Sequence, residues 1–221
     1  MNRFLTLILV GFLMVAGGGC AATKTYQVQV NGYTDPGAPF FAPGAAVCVL
    51  EDQKAQNLLL EKEVKAKIEK LLEKNHYSPA PYDQAQYYVS FAYGMGTPQT
   101  VSVGGPTWSV GVGFGTGWWG PSAAYGVYWP GWGPYYTEPR PLYDRWLRLT
   151  VVEGKTYRES GKSQPLWVGE ARSTGSSSDL REIMNFLLIA VFEQFGKNTG
   201  KAIPTQIKHK DPRILELEKV R

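Results

Sequence analysis

Apolar and polar residues alternate through TYQVQVNGY, with Tyr26, Val28 and Val30 on one side and Gln27 and Gln29 on the other. That period of two is the mark of a half-buried strand. A loop rich in proline and glycine, TDPGAPFFAPG, follows. AAVCVLE from Ala45 reads as a short strand. The period then lengthens. Leu60, Val64, Ile68, Leu71 and Leu72 recur at helical spacing and predict an amphipathic helix over about 57–75. Glu61, Lys62, Lys65, Lys67, Glu69, Lys70, Glu73 and Lys74 fill its other positions, and these charges are expected to form its solvated face. QAQYYVSFAYGMG restores alternation, with Tyr87, Val89, Phe91 and Tyr93 on one face.

Residues 99–103 and 107–114 read as a hairpin around Gly104-Gly105-Pro106, its second arm placing Trp108, Val110, Val112 and Phe114 on one face. DRWLRLTVVE and QPLWVGEARS are strong strands, with GKTYRESGKS expected as the turn between them. Glu170 and Arg172 fall on one side of the second strand and are expected to form a solvent-facing pair. The clearest helix comes last. Leu180, Ile183, Met184, Leu187, Leu188, Val191, Phe192 and Phe195 form a gapless helical stripe. Ser178 or Asp179 can cap it, Glu182 lies in its first turn and Gly196 ends it. The polar, basic tail at 201–221 is expected to be mobile, with a short helix after Asp211-Pro212. The order β-β-α-β-(hairpin)-β-β-α predicts an α+β fold. Its two amphipathic helices pack on one face of a single, mostly antiparallel sheet, around a split β-α-β-like core.

The N-terminus carries a different kind of pattern. After Met1-Asn2-Arg3, residues 4–16 (FLTLILVGFLMVA) hold no charge. A span of about 20 residues is needed to cross a bilayer, so this run has the length of a signal-peptide core. GGGCAATK follows. Small residues directly before Cys20 resemble the lipobox of bacterial lipoproteins, in which cleavage before the cysteine frees it for acylation. Gly17 stands where that pattern usually has Leu. The resemblance implies a cleaved signal at 1–19, a lipidated N-terminus and tether at 20–24, and an anchor through Cys20. Ala21 is not the Asp that resembles an inner-membrane retention signal, so the implied address is the periplasmic face of the outer membrane. If Cys20 carries lipid, the other of the two cysteines, Cys48, has no partner for a disulfide. In AAVCVL it is expected to be a buried small hydrophobe.

Two blocks, residues 25–96 and residues 145–200, together resemble a family of bacterial envelope lipoproteins defined only as a domain of unknown function. The second block is the more specific, since RWLRLTVVEGKT, LWVGEARS and DLREIMNFLLIAVFEQFGKNTG occur in that order. The resemblance implies one α+β domain over 25–200 and supplies no catalytic residues. Residues 104–143 lie outside it and read as an insertion rich in Gly, Trp and Tyr.

That insertion holds GTGWWG at 115–120, which fits the G-x-G-x-x-G spacing of a dinucleotide site. A phosphate site of that kind needs a helix directly after the glycines. Here Pro121, Gly126, Pro130, Gly131, Gly133 and Pro134 forbid one, and Glu138 lies between prolines. Five of the seven tryptophans are in the insertion. Either its aromatics cover the sheet face that the helices leave open, or some are displayed. Trp118, Trp119, Trp129, Trp132 and Tyr135 are the candidate contact surface, since Trp and Tyr suit boundaries between apolar and wet surroundings.

Charge and chemistry narrow the reading further. A net charge of +4 with no basic run gives no reason to expect nucleic acid. Two histidines, His76 and His209, offer little for a metal or a triad, and no cofactor or metal site is expected. Asp83, Asp144, Glu170 and Asp179 read as turn, cap or strand-surface carboxylates. The expectation is a non-enzymatic, membrane-anchored lipoprotein with a binding or structural role in the cell envelope. Its partners are the bilayer through Cys20 and an envelope protein, glycan or lipid headgroup. The alternative is an envelope enzyme acting on glycan or lipid through the aromatic insertion.

Overall fold

The computed structural model describes residues 25–37, 41–101, 140–161 and 163–220. Its strands are β1 (Thr25–Thr34), β2 (Ala46–Leu50), β3 (Ser78–Pro79), β4 (Tyr87–Met95), β5 (Gln99–Val101), β6 (Arg140–Glu153), β7 (Pro165–Gly175) and β8 (Ile203–Lys208). Its helices are α1 (Leu58–Lys74), α2 (Gly154–Ser160), α3 (Leu180–Glu193) and α4 (Pro212–Leu217). The strands form one open sheet in the order β3-β2-β4-β6-β7-β1-β8. β2 runs parallel to β3 and β4, and the other pairs are antiparallel. The fold is α+β, as the periodicities predict, with α1 crossing over between the parallel pair β2 and β4.

Alternation decides which face is dry. Val28, Val30, Val47, Val49, Val89, Phe91, Leu147, Leu149, Val151 and Trp167 all point to the helix side. There they meet Val64, Ile68, Leu71 and Leu72 of α1 and every residue of α3 from Ile183 to Phe192. Burying each large aliphatic side chain is worth about 1.5–3 kcal/mol, so α3 is the largest single source of cohesion. Each long helix starts on a side-chain cap. Asn57 Oδ1 accepts from the Leu60 N–H at 3.0 Å, and Asp179 Oδ1 accepts from the Glu182 N–H at 3.0 Å. The FGKNTG segment after α3 ties back to the sheet. Trp167 donates its indole N–H to the Lys197 carbonyl at 3.0 Å, and Thr199 exchanges hydrogen bonds with the Gly32 backbone.

Three expectations change, and a fourth lies partly outside the described residues. The tail is folded: β8 pairs along β1 from Thr25–Lys208 to Val30–Ile203, and Ile207, Ile214 and Leu217 enter the core. Three apolar residues widely spaced in a polar segment carry too weak a period to read, yet they suffice once a sheet edge is there to receive them. The expected turn at GKTYRESGKS is the helix α2, ended by Gly161 in a left-handed conformation. It packs Tyr157 over Tyr88, Ala85 and Val152 on the second face of the sheet, beside half-buried Cys48 and Leu50. Gln99–Val101 pairs with Arg140–Leu142 of β6, and the second arm expected at 107–114 lies outside the described residues. Finally, not all charges of α1 are solvated.

Glu61, Glu63 and Lys67 of α1 are buried. Lys67 Nζ lies 2.6 Å from Glu63 Oε1, and Arg181 of α3 binds the same carboxylate through Nε at 3.0 Å and a terminal nitrogen at 2.6 Å. Burial by itself would raise the Glu63 carboxyl, but the hydrogen bonds from Arg181 and Lys67 outweigh it and hold the group below its ordinary value. Glu61 accepts the Asp52 N–H at 2.9 Å and the Tyr93 hydroxyl. Burial first, then Glu61, pushes the Tyr93 phenol up.

Leu187→Asp places an unpaired charge in the middle of α3, where the native side chain is fully buried, and is expected to cost several kcal/mol. The full chain in neutral detergent should then lose its cooperative melt. Retention of the wild-type melting temperature would show that this stripe does not face the core. For the Glu63 lock, the depressed folded-state value means that its stabilisation is complete above about pH 4.5 and is lost as pH falls through that lower value. Glu63→Gln should destabilise by about 3–5 kcal/mol at pH 7, because it strands the Lys67 ammonium. Melts against pH should show the gap to wild type closing on the acid side; a constant gap would assign the loss to packing alone.

Candidate functional site

Among the described residues the long helices cover one face of the sheet, and α2 covers only the β2–β4 side of the other. Across β1, β7, β6 and β4 the second face carries Tyr33, Glu170, Arg172, Trp146, Arg148 and Ala92. A shallow groove of about 250 Å³ is lined there by Ala92, Trp146, Arg148, Glu170 and Arg172 with the backbone of Leu147 and Ala171. The parity of DRWLRLTVVE places these side chains. Leu147, Leu149 and Val151 go to the core, so Trp146 and Arg148 must go outward.

Register sets the partners. Arg148 stands opposite Glu170, and Trp146 stands between Arg172 on β7 and Gly94 on β4. Arg148 donates from Nε to Glu170 at 2.7 Å and from a terminal nitrogen at 2.6 Å. Arg172 reaches diagonally to Asp144 at 3.5 Å. The expected Glu170–Arg172 pair is therefore replaced by two cross-strand pairs, because residues two apart on one strand are farther from each other than from their neighbours across the ladder. Tyr33, on β1, has its phenol raised by burial and by Glu170, with Arg148 acting in the opposite sense.

Trp146 has a specific seat. A Cβ at Gly94 would lie 2.8–3.0 Å from three atoms of the indole, so the ring lies directly on the bare glycine backbone. The result is an aromatic plane flanked by guanidinium and carboxylate groups held in place by each other. Such a surface can stack on an apolar ring face and exchange directional hydrogen bonds around it. Both of its carboxylates, Asp144 and Glu170, are engaged by arginines, which favours recognition over proton transfer.

Cys20, Trp118, Trp119, Trp129, Trp132 and Tyr135 lie outside the described residues. His76 sits at the corner after α1 with a positive φ of 65° and has its backbone bonded to Gly44 and Glu73. His209 lies 3.9 Å from Glu182. Asp83 is in the turn before β4, and Asp179 caps α3. Burial pushes the Cys48 thiol up, Lys65 opposes this and Glu69 adds to it, which suits an unreactive half-buried thiol. Among the described residues no three His, Cys, Asp or Glu side chains converge as a metal site would require. Trp146, Arg148 and Arg145 carried no weight in the sequence reading. Arg145 did offer a signal, as a charge at the same parity as Leu147, Leu149 and Val151.

The chain belongs to the family described as a domain of unknown function (DUF4136), whose profile matches residues 18–195. No curated protein matches it. Among solved structures it is similar to a PDZ domain protein from Parabacteroides distasonis, with a TM-score of 0.50 and 11% identity, covering 88% of this chain and 42% of that one. A PelC dodecamer from Paraburkholderia phytofirmans has 12% identity, a TM-score of 0.40, and coverage of 78% and 99%. A DUF4136 family protein from Bacteroides thetaiotaomicron has 20% identity, a TM-score of 0.35, and coverage of 76% and 92%. At 11% identity the likeness to the PDZ domain protein is one of fold alone.

Gly94→Val should evict the Trp146 indole from its seat. We expect a loss of about 1–3 kcal/mol in a urea melt, as for other overpacked sites, and a shift of tryptophan emission to longer wavelength. Unchanged stability and emission would show that the ring does not rest on Gly94.

Proposed function

We propose that this member of the family is a lipid-tethered binding module of the bacterial envelope, held by acylated Cys20 at the periplasmic face of the outer membrane. It presents an open sheet face to a partner and is not an enzyme. The observation that carries the reading is the short distance from the lipobox-like cysteine to folded structure. β1 begins at Thr25, so only residues 21–24 separate Cys20 from the sheet. Fully extended, they reach roughly 15 Å. The domain would sit against the bilayer surface rather than on a long stalk. None of the described helices is long and apolar enough to cross a membrane, which leaves attachment to the N-terminus in this reading.

The open face supports the binding half of the proposal. Trp146 on Gly94, with the Arg148–Glu170 and Arg172–Asp144 pairs around it, is a preorganised surface whose polar groups are already oriented. An envelope glycan, a lipid headgroup or another envelope protein suits its mixed aromatic and ionic character. Trp118, Trp119, Trp129, Trp132 and Tyr135 would extend the same contact.

Metabolic labelling with a palmitate analogue, comparing wild type with Cys20→Ser, tests the tether. Wild type should label and sediment with membranes, and Cys20→Ser should do neither. Equal labelling of the two proteins would overturn the proposal.

A further inference from the structure

At one end of the sheet the core face carries a charge. Arg145 is only 1% exposed, and it donates to the Ser173 carbonyl at 3.3 Å, the Ser173 hydroxyl at 3.3 Å and the Ser177 carbonyl at 3.0 Å. A guanidinium has five N–H donors. One on each terminal nitrogen therefore has no acceptor among the described residues. No carboxylate lies within ion-pairing distance of it there either. Asp144 and Glu182 act on it through space, but Asp144 is engaged by Arg172, and Glu182 accepts the Tyr26 hydroxyl at 3.1 Å. Burying a cation without a contacting anion is costly.

A cavity of about 340 Å³ opens onto this group, lined by Tyr26, Arg145, Ser173, Gly175, Ser176 and Ser177 together with Thr25, Gln27 and Thr174. Hydroxyls and backbone dominate the lining, and no acidic residue belongs to it. A Cβ at Gly175 would lie 2.7 Å from a terminal nitrogen of Arg145, so the glycine leaves the guanidinium room at the cavity wall. Lys208, the cross-strand neighbour of Thr25, adds positive charge at the same end.

We propose that this cavity binds a phosphate group, with Arg145 supplying the charge and the Ser173 and Ser177 hydroxyls its remaining hydrogen bonds, while Ser176 only borders the opening. A guanidinium fork beside several hydroxyl donors matches tetrahedral oxyanion geometry. Thr25 lines the cavity, so the site is at the end of the domain that the Cys20 tether would hold near the bilayer. The phosphate then comes either from a lipid headgroup or from free solution. The site itself does not depend on the tether; only the lipid source rests on that reading.

The test uses the full chain in neutral detergent, titrated calorimetrically with sodium phosphate against a sodium chloride background, and separately with dihexanoyl phosphatidic acid. Ser176 is exposed, so Ser176→Asp adds a negative charge at the cavity wall without disturbing the core, and Ser176→Ala is its control. Wild type and Ser176→Ala should bind phosphate saturably. Ser176→Asp should bind about tenfold or more weakly at an unchanged melting temperature. Arg145→Lys, which keeps the charge and loses the fork, should also weaken binding. Tighter binding of the phosphatidate than of inorganic phosphate assigns a headgroup as the source, and equal binding assigns free phosphate. No saturable binding of either, or equal binding by wild type and Ser176→Asp, overturns the site. Failure of Cys20 to label would overturn the tether and leave the phosphate result standing.

Discussion

Burial of α3 against the sheet is the constraint on which the rest of the molecule depends. From Ile183 to Phe192 every side chain is buried. A helix hydrophobic on all sides needs cover all round. The sheet gives it one side, α1 another and α4 a third, with Ile214 and Leu217 belonging to the same core as α3. Its ends are fixed by polar contacts: Asp179 caps the start, and the chain after it is pinned to Trp167 and Gly32. Without α3, α1 and α4 would each lose a dry surface against which they pack.

Satisfying that helix uses up all the long helical cover on one side of the sheet. Among the described residues the other side has only α2, seven residues long, and these leave it uncovered across β1, β7, β6 and β4. The polar residues that alternate with the core are therefore displayed as a continuous field. The Arg148–Glu170 and Arg172–Asp144 pairs are partly exposed and add little stability, since such pairs contribute roughly 0–1 kcal/mol. Their value is orientation. They fix the groups around Trp146, and a preset surface loses less entropy on binding than a floppy one.

Among the described residues buried Glu61 is held by the neutral Asp52 N–H and Tyr93 hydroxyl, and the remaining buried charges fall into two arrangements. Glu63 and Lys67 lie between α1 and α3, and Arg181 completes the set, so each charge finds an opposite one in contact. Arg145 has carbonyls and a hydroxyl but no carboxylate in contact among the described residues. The first arrangement is closed and joins two helices. The second is open on its cavity side, and that asymmetry marks it as a place for an anion.

The sequence by itself determined the elements that announce themselves by local period. β1, β2, β4, β6, β7 and the two long helices are all legible, as are the α+β class and the caps at the start of α3, because alternation and the 3.6-residue repeat are properties of neighbouring residues. The lipobox-like cysteine was also readable at this level. What the sequence could not show are relations between residues far apart in the chain. Glu170 takes Arg148 rather than Arg172 because partners across a ladder are set by register, which no single strand encodes. β8 folds because β1 offers an open edge, and its own pattern is too sparse to predict it; α4 starts at the Asp211-Pro212 signal legible in the sequence, and α3 offers it an uncovered side. Arg145 and Trp146 are adjacent in sequence, yet one is buried at a cavity wall and the other lies on Gly94 across the sheet. Only the assembled sheet decides which face is dry, because dryness comes from what packs on a strand and not from the strand itself.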